Sequence, residues 1–167
     1  PHEAFVAEQT DHAIDGGSLS FDISSADRSN RFNAYASFQN TARKSYYGSK
    51  QDLDAYGTTH DLTAAAGVQY VHAFRKLLFM PSELTLGAEY SFDELEDRSI
   101  GYAIDTDQTV HIVGGYLQNE WKIKKWSLLI GGRLDKHNLV DHVIFSPRAN
   151  VRFNPSESVN LRVSYAG

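Results

Sequence analysis

The sequence contains no cysteine, no long apolar run and no excess of positive charge. Without cysteine it has neither a disulfide framework nor a thiolate metal site or thiol nucleophile. The 16 Lys and Arg are outnumbered by 21 Asp and Glu, and the net charge is -5. No basic surface for nucleic acid is therefore expected.

Membrane helices and a leader are also not expected. The longest apolar stretches are a few residues, as at residues 77–80, far below the ~18 residues of a membrane helix. Residue 1 is proline, and no basic segment followed by an apolar run opens the sequence, so we expect a part of a longer protein, without its signal peptide. Any membrane contact must then be made by β-structure.

A two-residue periodicity recurs along the whole chain. In residues 18–24, Leu19, Phe21 and Ile23 alternate with polar residues, which is typical of a strand with one polar face. The further strands that we predict lie at residues 3–9, 31–39, 61–74, 83–92, 108–123, 126–135, 148–153 and 159–165. Residues 108–123 carry apolar residues on both faces, so their orientation stays open. We predict an all-β protein, an antiparallel up-and-down meander of about nine strands.

The connections between these strands alternate in length. Short ones are expected at residues 26–29, 75–81, 122–125 and 154–158, and mostly longer ones at residues 40–60, 93–107 and 136–141. Short turns on one side and longer loops on the other are typical of an outer-membrane barrel. Trp121 and Trp126 bracket one short turn, either as part of an aromatic girdle at a membrane interface or as caps of a soluble hairpin.

Four segments carry a resemblance to a known family. Residues 117–121 (LQNEW), 131–135 (GGRLD), 145–150 (FSPRAN) and 161–167 (LRVSYAG) resemble, in order and spacing, the mid-barrel of TonB-dependent outer-membrane receptors. The sequence is similar in particular to receptors of Bacteroidetes that are related to vitamin B12 and ferric-siderophore transporters. The resemblance implies that residues 1–167 form part of a barrel of ~22 strands, without the plug domain.

The resemblance also implies a function. A receptor of this family sits in the bacterial outer membrane, in contact with its lipid, and takes up a large scarce nutrient such as a ferric siderophore or vitamin B12. It is driven by TonB, which binds an N-terminal region outside this sequence. The isolated fragment is expected to self-associate, because its apolar face and its sheet edges are otherwise uncovered. No catalytic motif or cofactor motif is present, so neither an enzyme nor a cofactor is expected.

Two other functions stay open at this stage. The first is a soluble antiparallel β-sandwich that binds carbohydrate or protein, and the second is a passive outer-membrane porin. The Arg, Asp and Glu on the polar strand faces suit a wet lumen better than the interior of a sandwich. Wall strands alone do not distinguish a porin from a receptor.

Three sets of residues are candidate sites. Aromatic and cationic side chains of the 40–60 loop suit a ligand at the barrel mouth, and they are Arg43, Lys44, Tyr46, Tyr47 and Tyr56. Side chains expected to face the lumen and the plug are Arg133, Asp135, Arg148, Arg152 and Arg162. A solvated acidic loop is favoured over a metal site in residues 93–107, where a calcium ion would be held by Asp93, Glu94, Glu96, Asp97, Asp105 and Asp107.

Overall fold

The structure, a computed structural model, describes residues 7–49 and 52–167 and consists of one eight-stranded sheet. The strands are β1 (Ala7–Ser24), β2 (Asn30–Gly48), β3 (Tyr56–Leu77), β4 (Met80–Ser99), β5 (Ile104–Ile123), β6 (Trp126–His137), β7 (Ile144–Ser156) and β8 (Val159–Ala166). Each strand pairs with its neighbours in sequence, which confirms the predicted antiparallel meander. The helical elements of the described chain are two short 3-10 turns, Leu53–Ala55 and Ile100–Tyr102. None of its helices has the length and apolarity to cross a membrane.

The strands are longer than the alternation predicts. The expected loop at 40–60 is mostly strand, because β2 runs to Gly48 and β3 begins at Tyr56. The expected loop at 93–107 is likewise mostly strand, since β4 runs to Ser99 and β5 begins at Ile104. Backbone pairing continues where both faces are polar, so the loss of alternation did not mark the strand ends. Of the ninth strand expected at 3–9, residues 3–6 lie outside the described residues and residues 7–9 belong to β1.

The connections keep the predicted alternation. Counting from the first, every second connection consists of residues 25–29, 78–79, 124–125 or 157–158. The connections between them are residues 100–103, residues 138–143 and the described part of 49–55. The 22 residues of β3 give that strand a length of about 70 Å at ~3.3 Å per residue. This is longer than the ~25 Å height of the apolar band of an outer-membrane barrel.

By its contacts the chain divides into two units. The first comprises the described residues of Pro1–Leu19 together with Ala36–Ala65 and Ser91–His111. The second comprises Ser20–Tyr35, Ala66–Tyr90 and Ile112–Gly167. The candidate ligand residues fall in the first unit and the candidate lumen residues in the second.

Cross-strand pairing in the second unit fixes which side chains share a face. Asn119 of β5 pairs with Ile130 of β6, and Trp121 pairs with Leu128, so these four lie on one face. Tyr116 pairs with Arg133 and lies on the other face. The orientation of residues 112–123, which the sequence left open, is thereby settled.

Very little of the described chain is buried. Ala55 and Val71 are its only buried hydrophobic residues, whereas Leu117, Leu134 and Phe145 are each more than half exposed. A single sheet has no second layer to cover its apolar face. Because soluble monomers rarely expose large contiguous apolar surface, this face requires lipid or another protein against it.

The first short connection is ordered by the Asp27 carboxylate. It accepts hydrogen bonds from the Ser25 hydroxyl at 2.6 Å, the Ser29 hydroxyl at 2.8 Å and the Ser29 backbone N–H at 3.1 Å. These bonds, that of Ser25 foremost, favour the ionised form and lower the pKa of Asp27 from 3.8 to about 2. The turn is thus stabilised above pH 3.8, and the stabilisation is lost as the pH falls through about 2.

We therefore expect an NMR titration of the Asp27 carboxyl carbon to show a midpoint near 2. Replacing both Ser25 and Ser29 with alanine should return the midpoint part of the way towards 3.8, because the two hydroxyl hydrogen bonds are lost while the bond from the backbone N–H of residue 29 remains. An unmodified protein with a midpoint near 3.8 would contradict this account of the turn.

Candidate functional site

The end of the β2–β3 hairpin is organised by tyrosines and a short 3-10 turn. The side chain of Asp52 caps the turn by accepting the backbone N–H of Asp54 at 3.0 Å. The backbone N–H of Asp52 donates to the Tyr46 hydroxyl at 3.2 Å. The ring of Tyr46 packs on that of Tyr56, with centroids 4.8 Å apart.

The end of the β4–β5 hairpin packs closely against the first. A Cβ added at Gly101 would lie 2.3 Å from the carbonyl oxygen of Asp54, so only glycine permits this approach. The rings of Tyr47 and Tyr102 meet edge to face at 6.4 Å, and the Tyr102 hydroxyl donates to the Tyr47 carbonyl oxygen at 3.5 Å. The two hairpin ends therefore form one surface with exposed aromatic side chains, which we call the tip.

A polar chain of three side chains crosses β2, β3 and β4 below the tip. The guanidinium of Arg43 donates through Nη2 and Nε to the Thr59 hydroxyl oxygen at 2.7 and 3.1 Å. The Thr59 hydroxyl donates to Asp97 Oδ1 at 2.7 Å, and Arg43 Nη2 lies 3.6 Å from the same oxygen. Arg43 and Asp97 keep 37% and 26% of their side-chain surface exposed, so the arginine is positioned by the protein and still accessible.

The structure divides the five candidate ligand residues between two faces. They lie on strands and not in a loop, and successive strand residues point to opposite faces. Arg43 and Tyr47 share one face of β2, and Lys44 and Tyr46 share the other. Tyr56 packs on Tyr46 and so belongs to the second face.

The six acidic residues are likewise dispersed. Asp93, Glu94, Glu96 and Asp97 lie on β4, and Asp105 and Asp107 lie on β5. Asp97 is engaged by Thr59 and Arg43, and Asp105 lies 3.4 Å from Arg98. Within residues 7–49 and 52–167, no three His, Cys, Asp or Glu side chains are placed to hold a metal ion. The calcium site stays a prediction that this geometry does not support.

The polar face of the second unit carries an ionic network around Arg133. Its Nε donates to both carboxylate oxygens of Asp135 at 2.8 Å, and its Nη2 donates to Glu89 at 3.2 Å. The Tyr35 hydroxyl donates to the other oxygen of Glu89 at 2.6 Å. One arginine thus pairs with two carboxylates. Sequence patterns singled out Arg133 and Asp135 but missed Glu89 and Tyr35, which are far from them in the chain.

The other three candidate lumen residues are arginines that line one groove. Arg152 of β7 pairs directly with Arg162 of β8, and Arg148 lies four residues before Arg152 on the same face of β7. The groove has a volume of about 420 Å³, and Glu120 is the carboxylate among the residues that line it. That carboxylate accepts the Ser127 hydroxyl at 2.5 Å and lies 3.3 Å from Lys122 Nζ. The groove therefore has a marked excess of positive charge.

The opposite face of this unit has aromatic stacks beside a short connection. Trp121 stacks on Phe79 with centroids 5.6 Å apart, and its indole N–H donates to the Leu77 carbonyl oxygen at 3.0 Å. Trp126 stacks on Phe153 at 4.2 Å. Both tryptophans are thus held beside the turn at 124–125, as an aromatic girdle requires.

Comparison with protein families decides what this two-faced meander is. The family model described as "TonB dependent receptor-like, beta-barrel" matches residues 5–167, almost the whole chain. The chain belongs to this family. Membership confirms the resemblance seen in the sequence. Because this is a family of receptors, it also confirms that the protein is not an enzyme. None of the curated protein sequences matches it significantly.

Solved receptors share the fold of this TonB-dependent receptor barrel. The siderophore receptor PirA from Acinetobacter baumannii has a TM-score of 0.77 at 17% identity, over 94% of this chain and 25% of that chain. FpvAI, solved in complex with pyocin S2, has a TM-score of 0.70 at 12% identity, over 92% and 25%. The ferric citrate transporter FecA, unliganded, has a TM-score of 0.65 at 15% identity, over 92% and 27%. The chain spans about a quarter of the length of these structures.

The receptor family accounts for the architecture and removes one alternative. A β-sandwich needs two packed sheets, whereas the described strands form one sheet in sequence order. The soluble sandwich is therefore not the fold of this chain.

Proposed function

We propose that this chain is part of the wall of a TonB-dependent receptor in the bacterial outer membrane, and that the receptor takes up a large scarce nutrient. The observation that carries the proposal is the division of one sheet into a charged face and an exposed apolar face. A barrel wall needs lipid-facing apolar residues on one side and polar lumen residues on the other. TonB, through an N-terminal region outside this sequence, supplies the driving force.

The charged face of the second unit then looks into the lumen, towards a plug domain. The excess of positive charge around Arg148, Arg152 and Arg162 suits acidic or hydrogen-bond-accepting groups on the plug. Arg133 has its carboxylate partners in place and contributes to the wall itself. Their role in this proposal is structural and not a contact with cargo.

Tyr47 at the tip and Arg43 below it are the proposed contacts to the nutrient. They share a face, are both accessible, and offer a cation and an aromatic ring, which suit an anionic, partly aromatic iron chelate. Two of the solved receptors of like fold are described as a siderophore receptor and a ferric citrate transporter. A ferric siderophore is therefore the first candidate cargo, and vitamin B12 is the second.

Energy-dependent uptake tests the receptor against the passive porin. Cells that express the intact receptor are given radiolabelled ferric citrate, a ferric catecholate siderophore or cyanocobalamin at nanomolar concentration. We expect uptake of one of them to fall at least tenfold on deletion of TonB or addition of a protonophore, because the plug closes the barrel without that energy. Uptake that is unaffected by either treatment, with free passage of small sugars into liposomes, would establish the porin.

Self-association of the isolated fragment is part of the same proposal. An apolar face that lacks lipid is most readily covered by a second copy. Analytical ultracentrifugation of residues 1–167 in water should show oligomers that dissociate in detergent. A stable monomer without detergent would argue against a lipid-facing surface.

A further inference from the structure

The apolar face of the second unit contains a groove that is open over Gly115, whereas the ring of Phe145 covers Gly132, where an added Cβ would lie 2.6 Å from it. Gly115 pairs with Leu134, and Leu117 pairs with Gly132, so each glycine lies opposite a leucine. Phe145, the partner of Leu134 on β7, adds a further wall. The groove has a volume of about 700 Å³ and is mostly apolar.

One residue of this groove is out of keeping with the rest. Asn119 lines it and is only 7% exposed, and neither its amide nitrogen nor its amide oxygen has a hydrogen-bond partner in the described chain. A buried amide without a partner is destabilising, because its bonds to water are lost and not replaced. The unfilled bonds of Asn119 therefore indicate a ligand that has a polar atom next to an apolar chain.

The position of Asn119 narrows the chemistry of that ligand. It lies two residues from Trp121 in β5, about 7 Å along the strand, on the side away from the turn at 124–125. Interfacial tryptophans sit at the level of the lipid headgroups. Asn119 then lies just below the headgroups, at the depth where ester groups join the acyl chains to glycerol.

We propose that this groove is a binding site for a glycerophospholipid of the periplasmic leaflet, the side on which the short turns of outer-membrane barrels lie. One acyl chain lies over Gly115 and against the ring of Phe145, which covers Gly132, and the ester carbonyl of that chain accepts a hydrogen bond from the Asn119 amide. The inference rests on the membrane location given under the proposed function. The lipid site in this groove is an addition to that function.

The presence or absence of the ester carbonyl tests the proposal directly. The intact receptor is placed in nanodiscs made of equal parts of dioleoyl phosphatidylethanolamine and its dialkyl ether analogue. It is then extracted in mild detergent, and native mass spectrometry counts the retained lipid. We expect the ester lipid to be retained about fivefold over the ether lipid, as one ordinary hydrogen bond would give.

Two substitutions distinguish the contribution of the Asn119 amide to lipid binding from that of the apolar groove. Asn119→Leu should bring the ester-to-ether ratio to about one. Gly115→Leu should lower the retention of both lipids, because an added side chain there fills the groove and its Cβ meets the Gly87 carbonyl oxygen only at an ordinary 3.8 Å. As the control, Asn33→Leu removes an asparagine that donates to Asp22 at 2.8 Å, and it should leave the ratio at its original value.

A ratio near one in the unmodified receptor, or an unchanged ratio in Asn119→Leu, would overturn the proposal. The ratio in the unmodified receptor is measured without any substitution, so it tests the lipid site even if a variant fails to fold. Failure of the lipid site is distinguishable from failure of the proposed function. A receptor that enters the nanodisc but retains the two lipids equally lacks the lipid site and still has its membrane location. A receptor that stays soluble and never enters the nanodisc contradicts both the lipid site and the proposed function.

Discussion

The Arg133→Met receptor is expected to lose about 2 kcal/mol of its free energy of unfolding, the largest effect predicted for a single wall residue. In the unmodified protein, Glu89 and Asp135 lie 3.2 and 2.8 Å from nitrogens of Arg133. The substitution leaves both carboxylates without this positive charge. Breaking a fully buried pair costs about 3–5 kcal/mol, and the smaller figure allows for the partial exposure of Arg133 and Glu89. Urea unfolding of the intact receptor in detergent micelles, followed by tryptophan fluorescence, measures the change.

Arg31→Met is the matched control for this experiment. Arg31 is 2.7 Å from Glu83, but both side chains are more than 40% exposed, so this pair should contribute less than about 0.5 kcal/mol. Combining Arg133→Met with Glu89→Gln and Asp135→Asn should restore much of the lost stability, since no unpaired charge then remains. Equal losses in the two arginine variants would show that the network has no special role.

The second large effect is expected at the tip, where Tyr47→Ala should weaken nutrient binding about tenfold or more. Removing an accessible aromatic side chain at the centre of a binding surface commonly has an effect of this size. The measurement is the concentration dependence of binding to whole cells, with whichever of the three radiolabelled nutrients is taken up. Surface expression of each variant is quantified in parallel.

Tyr56→Ala provides the comparison from the opposite face. Tyr56 is more exposed than Tyr47, so exposure alone would assign it the larger role. If the face shared by Arg43 and Tyr47 binds the nutrient, Tyr56→Ala should change the affinity less than twofold. A larger effect at Tyr56 than at Tyr47 would reverse the assignment of the faces.

The parts of the fold that were predictable are those that a two-residue pattern encodes. Residues 18–24 and 159–165 alternate because one face meets an apolar medium, and both are strands in the structure. Where that medium ends, both faces are polar and the pattern stops, although backbone pairing continues. This is why Arg43 and Asp97, which the pattern places in loops, lie on paired strands near the ends of β2 and β4.

The site was harder to predict for a different reason. Arg133 and Glu89 are 44 residues apart, and Tyr35 and Glu89 are 54 apart, so their meeting depends on the register of several strands. No local pattern contains that information. In the sequence, Asn119 is only one residue of a segment that resembles the family. Its apolar surroundings depend on the pairing of Asn119 with Ile130, which the sequence does not specify.

In the proposed receptor, the long strands extend beyond the membrane, and this has a consequence for binding and for sequence variation. Side chains such as Tyr47 then lie on a paired backbone, so the conformational entropy of that backbone is lost when the protein folds and not when the nutrient binds. The ladder itself uses only main-chain groups, and it tolerates many different side chains. Receptors built this way can change cargo by substitutions on the projecting strands while the scaffold that holds them stays the same.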